Sequence, residues 1–307
     1  IKGVRRLTGI TNIICPLIAM ALWGSLFPCI KMGYSLFGIE TDSVPQVLMF
    51  ASLRFVVCGI IVCLVAYFST SNIAKPKGQS VLSICLMGVF AIVLHYGFTY
   101  VALLKTAGSK TAILKQSAPL LFVCFSFLFT DSEKFSASKI IGALVGFCGI
   151  IAINGASKFG SFSSGDILVI SASVCTVISM IISEKCARGT SPLWITGISQ
   201  LFGGAFLLII SLKFGGKIPQ VTPKALFVFA YICAASITGY TLFYRSQRTA
   251  ELSKLFIIKF SEPLFACVFS ALLIGEDIFK IQYLIAFVLI SLGIVIGNAK
   301  NSKPKIA

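Results

Sequence analysis

The sequence predicts an all-α membrane protein: ten transmembrane helices arranged as two inverted repeats of five. Three observations predict it. The first is composition. Of 307 residues, 57% are hydrophobic and only 12% are charged, and mean hydropathy is +0.97. Soluble domains carry about a quarter charged residues, and a soluble fold could not bury this much apolar surface. The second is length. Apolar runs of roughly 20 residues recur along the chain, enough for a helix to cross hydrocarbon. The third is duplication. Lys110, Lys115, Ser117 and Pro119 return as Lys254, Lys259, Ser261 and Pro263, each 144 positions later. Tyr96 and Tyr240, Tyr100 and Tyr244, Phe125 and Phe269, and Gly149 and Gly293 keep the same offset.

The spans read as 10–31, 45–68, 80–103, 107–130, 137–155, 165–184, 192–213, 223–244, 250–274 and 280–299. A barrel is excluded by pattern. Barrel strands alternate apolar and polar residues over about ten positions, whereas 140–153 carries no polar side chain. Within it Gly142, Gly146 and Gly149 supply the small residues that let helices approach closely. The first span lacks a small-residue cleavage site and nine more follow it, so it reads as a helix and not a signal peptide.

The net charge of +16 is topological in this context and does not point to nucleic acid. With the N-terminus in the cytoplasm, fourteen of the 26 basic residues fall on the cytoplasmic side and seven on the other. That bias puts both termini inside. The remaining five, Arg54, Lys110, Lys115, Lys254 and Lys259, lie within spans.

The 144-residue offset covers five spans, an odd number, so the second copy must run through the membrane opposite to the first. The repeats are 1–157 and 158–307. A site on the pseudo-two-fold axis between them would be reached by equivalent residues of both copies.

Several motifs carry a family resemblance. Trp23–Gly24–Ser25 with Lys31 opens the chain, and Ser52–Leu53–Arg54–Phe55 follows in span 2. Thr106–Ala107, Pro119–Leu120 and Glu133 close one unit; Thr249–Ala250, Pro263–Leu264 and Gly275–Glu276 close the other. Together they resemble the ten-helix EamA-type branch of the drug/metabolite transporter superfamily, over nearly the whole chain. The resemblance implies two EamA-like repeats and a secondary transporter, not an enzyme. It also implies a central cavity formed mostly by spans 1, 3, 4, 6, 8 and 9, with spans 5 and 10 peripheral. Members of that family carry amino acids, drugs, nucleotide precursors and sugar phosphates.

Lys115 and Lys259 depart from the family pattern, which is apolar or small there in many members. A charge that deep costs about 2.5–3.5 kcal/mol on insertion scales. Two such residues at matched positions can face a cavity and bind a carboxylate or phosphate as compact cations. The other reading is that each snorkels to the nearer interface, and snorkelling suits Lys110 and Lys254 better. Glu262 follows Lys259 by three residues and shares its helix face. It can carry a coupling proton or simply neutralise Lys259.

His95, the single histidine, lies in span 3 near Tyr96 and Tyr100, opposite Tyr240 and Tyr244 of span 8. It reads as a packing residue or a titrating one; the tyrosines read as cavity lining or helix packing. Trp23 is a cavity candidate through the family match, or a packing residue. Arg54 reads as structural, between helices near the outer end of span 2. Pro119 and Pro263 are repeat mates whose kinks can shape the cavity or remain tolerated curvature.

Eleven cysteines, without a Cys-x-x-Cys and with one histidine beside them, make neither a disulfide framework nor a zinc site. No cofactor, metal or catalytic pair is expected. The expected activity is movement of a small metabolite by alternating access, by export or exchange. The solute is anionic or zwitterionic: an amino acid, organic acid or phosphorylated metabolite. The alternative is proton-coupled export of amino acids or cationic drugs through Glu262. The candidate substrate-binding residues are Lys115, Lys259, Glu262, His95, Tyr96, Tyr240 and Trp23. The partners are then the metabolite, the lipid bilayer, and protons or a counter-substrate, with the chain a monomer or homodimer. Free cysteines and the charge bias fit a bacterial inner (plasma) membrane.

Overall fold

The computed structural model describes residues 2–40, 42–69, 76–103, 105, 111, 114–128, 133–154, 163–218, 220–275 and 281–298. Among them every regular element is helical. The first half of the chain contains α1 (Lys2–Leu36), α2 (Val44–Phe68), α3 (Gly78–Gly88), a π-helical turn (Val89–Leu94), α4 (His95–Leu103), α5 (Ser117–Phe125) and α6 (Ala137–Asn154). The second contains α7 (Ser164–Ala187), α8 (Pro192–Lys213), α9 (Pro223–Ser246), α10 (Leu252–Lys259), α11 (Glu262–Ile274) and α12 (Ile281–Asn298). Lys110, Thr106–Ala107 and Glu276 lie outside the described residues.

Local chemistry sets the helix ends. Proline sits in the first turn of α2, α8, α9 and α11, where its missing N–H costs nothing. Thr222 caps α9 by accepting from Ala225 N at 3.2 Å. Gly275 ends α11 at φ 77°, a left-handed conformation that suits glycine.

Among the described residues eight helical segments are long and apolar enough to cross a bilayer. Two of the ten expected spans, 107–130 and 137–155, are represented by the shorter apolar helices Ser117–Leu128 and Ala137–Ala152. Large apolar side chains such as Leu82, Phe227, Leu272 and Val295 project outward, largely exposed. They suit lipid tails and not water. The chain is an integral, multi-pass membrane protein.

The packing follows the duplication. α2 packs on α8 and α6 on α12; under the 144-residue shift, each partner is the other's counterpart. Glycines bring these backbones into contact. A Cβ on Gly59 would lie 2.3 Å from Leu201 N, and one on Gly204 2.8 Å from Val56 N. Gly197 meets Cys63 in the same seam. Numbers that rise along α2 therefore fall along α8, and the pair is antiparallel. In the second seam Gly142 meets Gly293 and Gly297, while Gly149 meets Ala286 and Ile290. Shifting Gly142 and Gly293 by 144 gives Ala286 and Gly149, which also touch. Each seam maps onto itself, as a two-fold contact must.

The seams give a direct test. Gly59→Ala should lower the melting temperature of the detergent-purified protein, at a cost of about 1–3 kcal/mol for overpacking. Gly78→Ala, where a Cβ meets nothing within 4 Å, should not. A Gly59→Ala protein that melts with the wild type would discount the seam.

Candidate functional site

Two proline breaks build the site. A proline inside a helix lacks the N–H that bonds four residues back, and its ring clashes with that carbonyl. Four residues before Pro119 is Lys115; four before Pro263 is Lys259. The chain turns at Lys115–Gln116 before α5 and at Phe260–Ser261 between α10 and α11. The single helix expected over 250–274 is therefore two helices. The Lys115 carbonyl accepts from Ser173 Oγ of α7 at 2.6 Å, and that hydroxyl accepts from Ala118 N at 3.2 Å. Ser173 replaces the backbone bond that Pro119 cannot make.

The break also sorts the charges. Lys259 ends α10 and Glu262 begins α11, each at the helix terminus whose partial charge suits it. Lys259 Nζ lies 2.5 Å from Glu262 Oε2 and 4.9 Å from the centroid of the Trp23 ring, a cation–π distance. Trp23 in turn lies 4.9 Å from the Tyr240 ring. Gly239 makes room for it: a Cβ there would sit 2.6 Å from Trp23 Nε1.

These groups line a cavity of about 660 Å³ between α1, α2, α4, α7, α9 and the two breaks. All seven candidate residues, Trp23, His95, Tyr96, Lys115, Tyr240, Lys259 and Glu262, are in its wall. The wall also contains Lys31, Arg54, Tyr34 and Tyr100. Residues of α6 and α12 do not line it. Tyr244, the repeat mate of Tyr100, is buried in the core instead.

His95 Nδ1 lies 3.1 Å from Ala172 O and 2.9 Å from Thr176 Oγ1. A carbonyl only accepts, so these partners assign the proton to Nδ1 and leave Nε2 of the neutral ring as an acceptor. Tyr34 and Tyr100 hydroxyls meet at 3.2 Å. Five buried polar atoms in the wall have no hydrogen-bond partner: Trp23 Nε1, Arg54 Nε, Thr99 Oγ1, Gln116 Oε1 and Ser236 Oγ. Buried polar groups are rarely left so, and a bound polar solute or water would satisfy them.

Sequence reasoning missed Arg54 as a wall residue, because its repeat mate is Ile198 and symmetry gave no signal. It also missed Thr176 and Ser236, whose residue types are common in membrane helices. Lys254 is not in the wall. It is partly exposed and lies 3.7 Å from Glu251.

The model of the EamA-like transporter family matches residues 10–155 and 163–298. The chain belongs to the EamA-like transporter family. It is 25% identical over 296 residues to an uncharacterized transporter of Bacillus subtilis, YvbV, covering 93% of this chain and 91% of that one. It is 24% identical over 246 residues to a WAT1-related chloroplastic protein of Arabidopsis thaliana, covering 76% of this chain and 58% of that one. A protein of known crystal structure shares the fold. Its TM-score is 0.76 at 19% identity, with 93% of this chain and 97% of that chain covered.

In this EamA-like transporter one end of the bundle is latched. Glu133 Oε1 accepts from Ser253 N at 3.0 Å, and Oε2 accepts from Ser253 Oγ at 2.6 Å and Lys139 Nζ at 2.8 Å. Lys139 also pairs with Glu251. The segment before α6 is thus tied to the start of α10. At the same end Ser183 Oγ donates to Gln247 Oε1 at 2.8 Å, and Arg248 donates to the Ala187 and Thr190 carbonyls. α1 runs antiparallel to α9, with Trp23 beside Gly239 and Gly33 beside Ile232. Lys31 and Tyr34 therefore carry the cavity toward the end opposite the latch.

Glu251 makes the latch sensitive to acid. Burial pushes its carboxyl up, but hydrogen bonding to Lys139 and the charges of Lys139 and Lys254 outweigh burial and hold it below the usual carboxylate range. Such a group adds stability above its unfolded value and loses it as pH falls through the folded one. Melting temperature should therefore drop as pH falls below about 4.3, the ordinary glutamate value. Glu251→Gln should lower the melting temperature at pH 7 and flatten that drop. An unchanged pH profile in the variant would count against the latch.

Proposed function

We propose that this chain is a secondary active transporter that moves an anionic or zwitterionic small metabolite by alternating access, by export or exchange. The observation that carries the reading is the charge of the cavity. Among the described wall residues, Lys259 is paired with the single carboxylate of Glu262, and Arg54 and Lys115 add two further cations that enter no ion pair with a described residue. A wall with this excess of cations favours a negative solute and repels a cationic one. Lys115 and Lys259 project from the two proline breaks, so both repeats contribute a cation. Trp23, Tyr96 and Tyr240 offer aromatic surface with polar tips, and His95 offers an acceptor.

The antiparallel, self-mapping seams support two inverted five-helix repeats, 1–157 and 158–307, with ten crossings. A latch at one end and a cavity reaching toward the other support alternating access, one repeat rocking against the other. The basic-residue bias supports cytoplasmic termini in a bacterial inner membrane, and the cavity then reaches toward the outside. A second reading makes Glu262 a proton carrier for export of amino acids or cationic drugs. The ion pair with Lys259 favours it as a counter-charge instead.

Thermal-shift screening in detergent tests the reading. A ligand that binds only the folded state at a hundred times its Kd adds about 2.7 kcal/mol. Carboxylate or phosphate metabolites should raise the melting temperature of the wild type, and Lys115→Met and Lys259→Met should abolish the rise. Stabilisation by cations, or by anions equally in both variants, would overturn it. In proteoliposomes, solute flux that needs a proton gradient and loses that need in Glu262→Gln would favour the second reading.

A further inference from the structure

Arg54 is a buried charge with no counter-ion in view. It lies in α2, is 2% exposed and lines the cavity. Its Nη2 donates to the Tyr96 hydroxyl at 3.1 Å, and the guanidinium stands 4.3 Å over the Phe55 ring. Neither partner carries a negative charge. Nε has no hydrogen-bond partner, and no described carboxylate pairs with the side chain. A buried charge is costly unless paired. A guanidinium also presents a rigid fork of donors whose natural match is a carboxylate or phosphate.

Lys115 is the second such cation. Among the described residues it enters no ion pair, since Glu262 is taken by Lys259. The two cations stand in different company. Lys115 shares its part of the wall with Lys259 and Glu262, whereas Arg54 donates to Tyr96, whose ring lies 5.8 Å from that of Tyr100. Tyr240, whose ring is 4.9 Å from Trp23, lines the same cavity as both cations. The cavity wall therefore holds two cations without a carboxylate partner, Arg54 on α2 and Lys115 at the break before α5, with tyrosines in the same wall.

We propose that Arg54 is a second anion anchor, and that the transported solute carries two acidic groups, one held by Arg54 and one by Lys115. This rests on the anion reading above and adds the requirement for a second charge. The tyrosine hydroxyls around Arg54 supply further donors to the same acidic group, and the aromatic faces cover the solute's apolar middle.

The test is a thermal-shift titration with straight-chain dicarboxylates from malonate to adipate, beside monocarboxylates of equal chain length at matched ionic strength. One diacid length should bind the wild type roughly tenfold or more tighter than its monoacid partner. Arg54→Met should remove that advantage while monoacid binding changes little. Arg54→Lys keeps the charge, guards against misfolding, and should remove most of the advantage because it lacks the fork. Lys115→Met should remove the advantage at the other cation, which keeps the test decisive if both Arg54 variants fail to fold. Equal binding of monoacids and diacids, or diacid binding unchanged in the Arg54 variants, overturns the second anchor. If monoacids still depend on Lys115 in that case, the anion site stands without it. If no acid binds, both readings fall.

Discussion

The structure depends on a missing hydrogen bond. Pro119 and Pro263 each leave the carbonyl four residues back without its helical donor, and in hydrocarbon there is no water to replace it. An unsatisfied backbone group there costs several kcal/mol, so broken helices persist only where protein or a polar cavity receives them. Here Ser173 receives the Lys115 carbonyl. The break then creates helix ends inside the bundle, and helix ends are where single charges are stabilised. Lys259 and Glu262 occupy such ends. The lysines, the break and the cavity are thus one arrangement, and each would be costly without the others.

The rest of the wall follows from that polar centre. A tryptophan covers the Lys259–Glu262 pair, and Gly239 exists to admit it. His95 is held by α7 in one orientation. Arg54 approaches from α2 through a tyrosine, not a carboxylate.

Much of this was legible in the sequence. The 144-residue offset marked the Lys-x-x-x-Pro units, and the chemistry of proline says what happens four residues before one. The seven candidate residues share one cavity: Lys115 and Lys259, and Tyr96 and Tyr240, are matched at the 144-residue offset, and Trp23, His95 and Glu262 stand beside them. What symmetry could not reveal was whatever the repeats do not share. Arg54 faces no equivalent, since position 198 is isoleucine. The π-helical turn at Val89–Leu94 has no counterpart in α9, which is regular. Tyr100 and Tyr244 occupy matched positions yet only the first lines the cavity. The last two differences come from packing between helices, which a single-chain pattern does not encode.

The glycine seams carry one more consequence. Interdigitated side chains act like meshed teeth, so turning one helix on another means moving rotamers out of the way. Gly59 against Leu201 and Gly142 against Gly293 bring bare backbone to backbone, and a toothless contact can swivel with few side chains displaced. Both seams also join a helix to its own equivalent, so a swivel there disturbs the two repeats equally. If the halves rock on each other as proposed, close contacts of this kind suit the bearings of that motion.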